Sequence, residues 1–213
     1  MTTTLHLSRL HWPVTVLGPG RRVGVWFQGC SIGCKGCCSK DTWHATPEHS
    51  VTIADVLRWV GERSAAAAGF TISGGEPFDQ PEALMALLVA LRALPAGKVQ
   101  PDILIYSGYP WRTLLDRHAP IVALADAIIS EPFVDGRPAD ALRGSSNQRL
   151  HVLTPLGQVR YSSWAPSEQR QLQTHFDGKS IWMIGIPRPG DLDRLRDRLG
   201  ASGVELGQCS WLA

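Results

Sequence analysis

"RVGVWFQGCSIGCKGCCSKDTW", residues 22–43, joins two segments of opposite character. The first, 22–29, is rich in β-branched and aromatic residues and predicts a strand, one that both its faces could bury. The second sets Cys30, Cys34, Cys37 and Cys38 directly behind that strand. A secreted disulfide framework spreads its cysteines to staple distant segments, whereas these are bunched in one loop. The cluster is therefore a metal-site candidate. Cys30, Cys34 and Cys37 are spaced C-x3-C-x2-C, with Cys38 and Cys209 left over. A closed zinc site normally presents two short-spaced pairs, and here Cys38 or Cys209 would have to complete it. Three thiolates on a compact loop also suit a 4Fe–4S cube with one iron left open, because soft sulfur donors favour such clusters. Spacing alone leaves both open.

Downstream, strand-like and helix-like segments alternate. Residues 50–68 predict a helix with Ile53, Val56, Leu57 and Val60 on one face and Ser50 or Thr52 as its cap. A strand at 69–73 is followed by a helix at 80–94, which places Leu84, Leu87, Leu88 and Leu91 together and Pro81 in the first turn. Then come a strand at 102–107, a helix at 111–118 and a strand at 125–130. Strands at 149–153 and 158–162 are expected around "TPLG". A helix at 166–174, a strand at 180–186, a helix at 191–199 and a strand at 203–206 close the pattern. Such alternation predicts parallel βα units, hence an α/β sheet or partial barrel. Ligands in these architectures bind at the carboxyl ends of the strands. The cysteines, "SGGEP" (73–77) and "SGYP" (107–110) all fall there, which predicts one shared site.

The rest of the composition narrows the class. At 213 residues and 44% hydrophobic content the chain is expected to form one domain, residues 1–213, with a sizeable core. A net charge of +2 with scattered Lys and Arg offers no nucleic-acid footprint. The longest apolar run, 83–94, is interrupted by Arg92 and falls well short of the roughly 20 residues a membrane span needs. The N-terminal "MTTTLHLSRLHWP" lacks the pattern of a signal peptide. A soluble cytoplasmic protein is the expectation.

C-x3-C-x2-C after one strand and GGE after the next resemble the radical S-adenosylmethionine (SAM) superfamily. "GPG" (18–20), "FQGC" (27–30), "DTW" (41–43), "SGGEP", "SGY" (107–109), "VDG" (134–136) and "RGSSNQR" (143–149) further resemble the glycyl-radical-enzyme activases, above all those serving anaerobic ribonucleoside-triphosphate reductases. The resemblance covers residues 17–153 and implies a partial (β/α) barrel of mostly parallel strands, with a βα extension at 154–213. It implies that Cys30, Cys34 and Cys37 hold a 4Fe–4S cluster whose fourth iron SAM chelates. Gly74 and Gly75 would let the backbone approach the methionine moiety, and Glu76 would orient its ammonium group. Gly36, Cys37 and Cys38 would border the adenine, Ser107 the ribose. Arg143, Asn147 and Arg149 would reach the SAM carboxylate or a partner's backbone. No further catalytic residue is assigned.

The implied reaction is reductive cleavage of SAM to a 5′-deoxyadenosyl radical that abstracts hydrogen from a glycine of a partner, an anaerobic ribonucleotide reductase. A reduced flavodoxin- or ferredoxin-type protein would supply the electron. Departures from the activase pattern at Leu17 and Cys38, together with the extension, suggest a different reading, direct modification of a peptide or small molecule. Each motif also has a plain structural use: "SGGEP" and "SGYP" are ordinary strand-to-turn sequences. On that ground a non-catalytic, metal-stabilised binding module stays in view.

Overall fold

The buried run Arg22–Phe27 forms β2, and it is preceded by the longest strand among the described residues, β1, Thr4–Val14. A computed structural model describes residues 3–162, 172–176, 178–207 and 209–210. The remaining elements are β3 (Ser50–Thr52), α1 (Ile53–Ser64), β4 (Gly69–Gly74), α2 (Pro81–Ala93), β5 (Asp102–Tyr106) and α3 (Trp111–Val122). They continue with β6 (Ala127–Ser130), β7 (Arg149–Val152), α4 (Pro155–Ser162), β8 (Gln173–Phe176), β9 (Ile181–Ile184) and α5 (Asp191–Ala201).

Seven strands make one open sheet in the order β3-β1-β2-β4-β5-β6-β7. The central pairs β2–β4, β4–β5 and β5–β6 are parallel, whereas β1, β3 and β7 join antiparallel at the edges. Successive side chains of a strand point to opposite faces, and here both faces are covered. Val25, Phe27, Ile72, Ile105 and Ile128 pack with Val56 and Val60 of α1 and the leucines of α2. On the other face Leu104, Ala127 and Ile129 meet Tyr161 of α4, and Trp26 meets Ile184 of β9. Strands buried on both sides read as unbroken apolar runs, which is how the parallel core announces itself in the sequence.

Thr52 caps α1, its side chain accepting the Asp55 N–H, while Ser50–Thr52 pairs with β1 instead of starting the helix. α3 runs past 118 and bends at His118 (φ −131°), two residues before Pro120, whose ring and missing N–H break the helical ladder. Four expectations are corrected. Residues 158–162 belong to α4, not to a strand: Thr154 Oγ1 accepts the Gly157 N–H and starts a helix with Pro155 in its first turn. Residues 203–206 are not a strand either, because Gly203 (φ +78°) and the Val204 N–H bonded to Leu199 O at 2.9 Å terminate α5. Of the helix expected at 166–174, residues 166–171 lie outside the described residues, and Gln173 begins β8. Finally, β8 and β9 pair with each other antiparallel and add no parallel βα unit to the main sheet.

Candidate metal centre and its cavity

The chain leaves β2 and returns beside its own start. The Gly29 N–H donates to Thr42 O at 2.8 Å and the Cys30 N–H to Trp43 O at 3.0 Å. Gln28 Nε2 closes the same neck, donating to Asp41 O at 2.7 Å and His44 O at 2.9 Å. "DTW" is thus the seam of a closed loop that carries all the clustered cysteines. A second brace ties the loop to the rest of the fold. The Ser31 N–H and Oγ donate to the Asp79 carboxylate at 2.6 and 2.9 Å, and Tyr109 Oη donates to the same group at 2.8 Å. Cys30 is therefore held from both sides.

Cys30, Cys34 and Cys37 are free, half-buried thiols that line a single open cavity of about 140 Å³. Backbone N–H groups of Ile32 and Gly33 face the Cys30 sulfur, that of Phe133 faces Cys34, and the Ser39 N–H donates to Cys37 Sγ at 3.4 Å. Burial pushes the Cys30 and Cys34 thiols up, so a metal must displace their protons to bind. Among the described residues no three Cys, His, Asp or Glu side chains converge as one ion would require. Three cysteine sulfurs on one cavity, each met by backbone N–H groups, fit an iron–sulfur cluster, whose sulfurs such bonds stabilise and tune.

The end of β4 packs against the root of the cysteine loop. The Gly75 N–H donates to Phe27 O and the Glu76 N–H to Gly29 O, both at 2.8 Å. A Cβ at Gly75 would lie 2.1 Å from Gly29 O, and at Gly74 (φ +107°) 2.3 Å from Phe27 O. Both glycines line the cavity, yet what demands a bare backbone is first the protein's own chain. Glu76 follows, buried to 1% exposure. Its Oε1 accepts from the Phe78 N–H and Ser107 Oγ at 3.0 Å, and its Oε2 from the Gly108 N–H at 2.7 Å. One carboxyl thus fastens "SGGEP" to "SGYP". Burial outweighs these hydrogen bonds and pushes its pKa up to about 7.

The expected site residues divide. Cys30, Cys34, Cys37, Gly74, Gly75, Glu76 and Ser107 line the one cavity. Gly36, Cys38, Asn147 and Arg149 do not. Gly36 faces the Asp135 side chain, and Cys38 is exposed, its carbonyl accepting Ser210 Oγ at 2.8 Å. Asn147 Nδ2 donates to Pro132 O at 2.8 Å, and Arg149 opens β7 as an exposed residue. Arg143 pairs with Asp140 and braces Gln148 O at 3.1 Å without lining the cavity itself. "RGSSNQR" mainly ties its own loop together, and only Gln148 reaches the cavity wall. Tyr106 and Phe133 are lining residues the sequence did not single out, each one residue before a quoted motif ("SGY", "VDG"), and Gly108 and Gln148 lie inside quoted motifs without an expected role.

A family profile described as a 4Fe-4S single cluster domain matches residues 16–151. The chain is 29% identical over 154 residues to the anaerobic ribonucleoside-triphosphate reductase-activating protein of Vibrio cholerae serotype O1, covering 68% of this chain and 96% of that one. It is 30% identical over 138 residues to the protein of the same description from Enterobacteria phage T4, covering 63% of this chain and 86% of that one. Among solved structures, QueE from Escherichia coli aligns over 49% of this chain and 52% of its own at 20% identity and a TM-score of 0.40. β8, β9 and α5 lie beyond the profile's span.

Proposed function

The chain belongs to the 4Fe-4S single cluster domain family, and on that premise we propose that it is a radical SAM activase. Its reaction is reductive cleavage of SAM at a 4Fe–4S cluster, and its target is a glycine of an anaerobic ribonucleoside-triphosphate reductase. One observation carries the reading: the three cysteines, the Gly74–Glu76 turn and Ser107–Gly108 border the same cavity. The near-complete coverage of the activating-protein relatives supports the choice of reaction and partner.

Cys30, Cys34 and Cys37 would hold the cluster. When bound, it supplies a low-potential electron (iron–sulfur centres reach about −700 mV) to the sulfonium of SAM, which gives methionine and a 5′-deoxyadenosyl radical. The chain's own residues do the rest. Backbone N–H groups at each sulfur set the electrostatics of the centre. Glu76, fixed by three donors, presents its carboxylate to the ammonium group of the methionine moiety. Trp43, Ile32 and Phe133 give the cavity apolar walls that exclude water from a reactive radical. The electron donor is a small protein of flavodoxin or ferredoxin type, and the setting is the cytoplasm. No helix among the described residues is long and apolar enough to cross a membrane.

Glu76→Gln weakens SAM binding by the cluster-loaded protein roughly 10- to 100-fold, the loss of one charged hydrogen bond. In the metal-free chain Glu76 also makes stability depend on pH. A carboxyl raised from 4.5 to about 7 binds protons more tightly folded than unfolded, so stability falls as pH rises between those values. Equilibrium binding of SAM checks the first expectation and thermal melts across pH 5–8 the second. The reading itself is tested by anaerobic reconstitution with iron and sulfide, then SAM and dithionite: equal amounts of methionine and 5′-deoxyadenosine are expected. If neither forms, the proposal fails.

A further inference from the structure

The turn that follows Glu76, Pro77–Asp79, swings the Asp79 carboxylate onto the cysteine loop directly behind its first cysteine. Oδ2 accepts the Ser31 N–H at 2.6 Å, and Oδ1 accepts Ser31 Oγ at 2.9 Å and Tyr109 Oη at 2.8 Å. All three donors are neutral, and among the described residues no lysine, arginine or histidine pairs with Asp79. The carboxylates that tie other parts of the fold are different. Asp41 faces Arg9, Asp102 faces Arg22, Asp126 faces Arg92 and Asp140 faces Arg143. A carboxylate without a counter-ion keeps its charge for whatever stands beside it. For Asp79 that neighbour is Cys30, whose sulfur feels the negative charges of both Asp79 and Glu76. The two carboxylates differ in one respect. Glu76 lines the cavity and Asp79 does not, so a ligand's ammonium group can offset the first charge and leaves the second in place.

We propose that Asp79 is a positioning residue for the iron–sulfur centre: it fixes Cys30 through Ser31 and sets an uncompensated negative charge beside it, which keeps the centre's reduction potential low. This deepens the radical SAM reading of the cavity and rests on it. One electron enters from the reduced donor protein and leaves to the sulfonium of SAM, whose C5′–S bond breaks. A fixed anion nearby disfavours the added electron, so the same electron leaves with more driving force. Three neutral donors would also suit a purely structural tie, because a carboxylate is an acceptor at every lone pair. The two roles are separable, since only one of them depends on charge.

The test is a potentiometric titration of the anaerobically reconstituted proteins, read by visible absorbance. Asp79→Asn removes the charge. At one fixed solution potential its ratio of reduced to oxidised centre is expected to rise roughly three- to tenfold over wild type, the effect of a single nearby charge. Ser31→Ala combined with Tyr109→Phe keeps the charge and removes two of its three hydrogen bonds, and the ratio is expected to stay at the wild-type value. An unchanged or smaller ratio in Asp79→Asn overturns the inference. An equal rise in the double variant overturns it too, because loop geometry would then be the cause. Should Asp79→Asn fail to load the cluster, Asp79→Ser removes the charge without turning an amide NH2 toward Ser31, and its ratio is read in the same way. Wild-type protein that cleaves SAM while the neutral variants keep its potential removes the role of Asp79 alone. Wild-type protein that loads no 4Fe–4S cluster removes the radical SAM reading, and the inference with it.

Discussion

Cys30→Ala, Cys34→Ala and Cys37→Ala each lose the iron–sulfur cluster on reconstitution and with it all SAM cleavage above background, whereas Cys38→Ala retains both. The asymmetry follows from geometry. Cys30, Cys34 and Cys37 line the cavity, and backbone N–H groups face each sulfur. Cys38 is adjacent in sequence but exposed, and its backbone is turned toward Ser210. Successive side chains diverge, so Cys37 and Cys38 do not serve one centre together. Iron and sulfide content with the visible charge-transfer absorbance gives the readout. A cluster lost in Cys38→Ala, or kept in any of the other three, would overturn the ligand assignment.

Arg22→Ala is the change expected to cost most stability. Arg22 and Asp102 are both fully buried and pair at 2.8 Å. The guanidinium also donates to Thr71 Oγ1 at 2.7 Å, Phe70 O at 2.8 Å and Pro19 O at 3.2 Å. Tyr161 Oη adds a second donor to Asp102. The pair therefore links β2, β4, β5 and α4 at the end of the sheet opposite the cavity. Removing the cation leaves a carboxylate stranded in the interior, which costs about 3–5 kcal/mol. A domain is stable by about 5–15 kcal/mol in all, so the variant should unfold at markedly lower denaturant or fail to accumulate. Arg22→Ala with Asp102→Leu removes both charges and should recover much of the loss, because neither partner is left unpaired. Urea unfolding followed by circular dichroism measures both. A midpoint for Arg22→Ala within error of wild type would show that the pair is not holding the strands.

Arg22 also shows where sequence reasoning stops. It stands in a basic doublet that looks like surface charge, and its burial depends on Asp102, 80 positions later. No local pattern carries that. β1 was missed for a related reason. Leu5, Leu7, Leu10, Trp12 and Val14 alternate, but the register slips between Leu7 and Arg9 and again between His11 and Val14. Each bulge shifts the period-two signal by one residue, and no single phase runs through the strand. Residues 158–162 look strand-like in composition, and what makes them helical is a cap four residues upstream, at Thr154.

What was legible is equally specific. The leucines of α2 and the apolar runs of β2, β4 and β5 carry their own periodicity, and they place three loops at one end of a parallel sheet. That placement assembles the cysteines, "SGGEP" and Ser107 around one cavity. The cavity wall beyond these motifs was not legible. Tyr106 reads as a strand residue and Gln148 as one polar group among several. Their roles depend on how the chain from Glu131 to Arg149 folds back across the sheet end, where Gln148 Nε2 holds Glu131 O at 3.1 Å.

Hydrogen transfer from a partner's glycine leaves a radical on that partner, which electron paramagnetic resonance detects. Reconstituted protein, SAM, reductant and an anaerobic ribonucleoside-triphosphate reductase are combined without oxygen and frozen. An organic radical is expected on the reductase, split by the remaining α-hydrogen, with the splitting lost when the reductase carries deuterated glycine. No such signal is expected with Cys30→Ala, Cys34→Ala or Cys37→Ala. Formation of 5′-deoxyadenosine with no radical on the reductase would contradict the activase assignment.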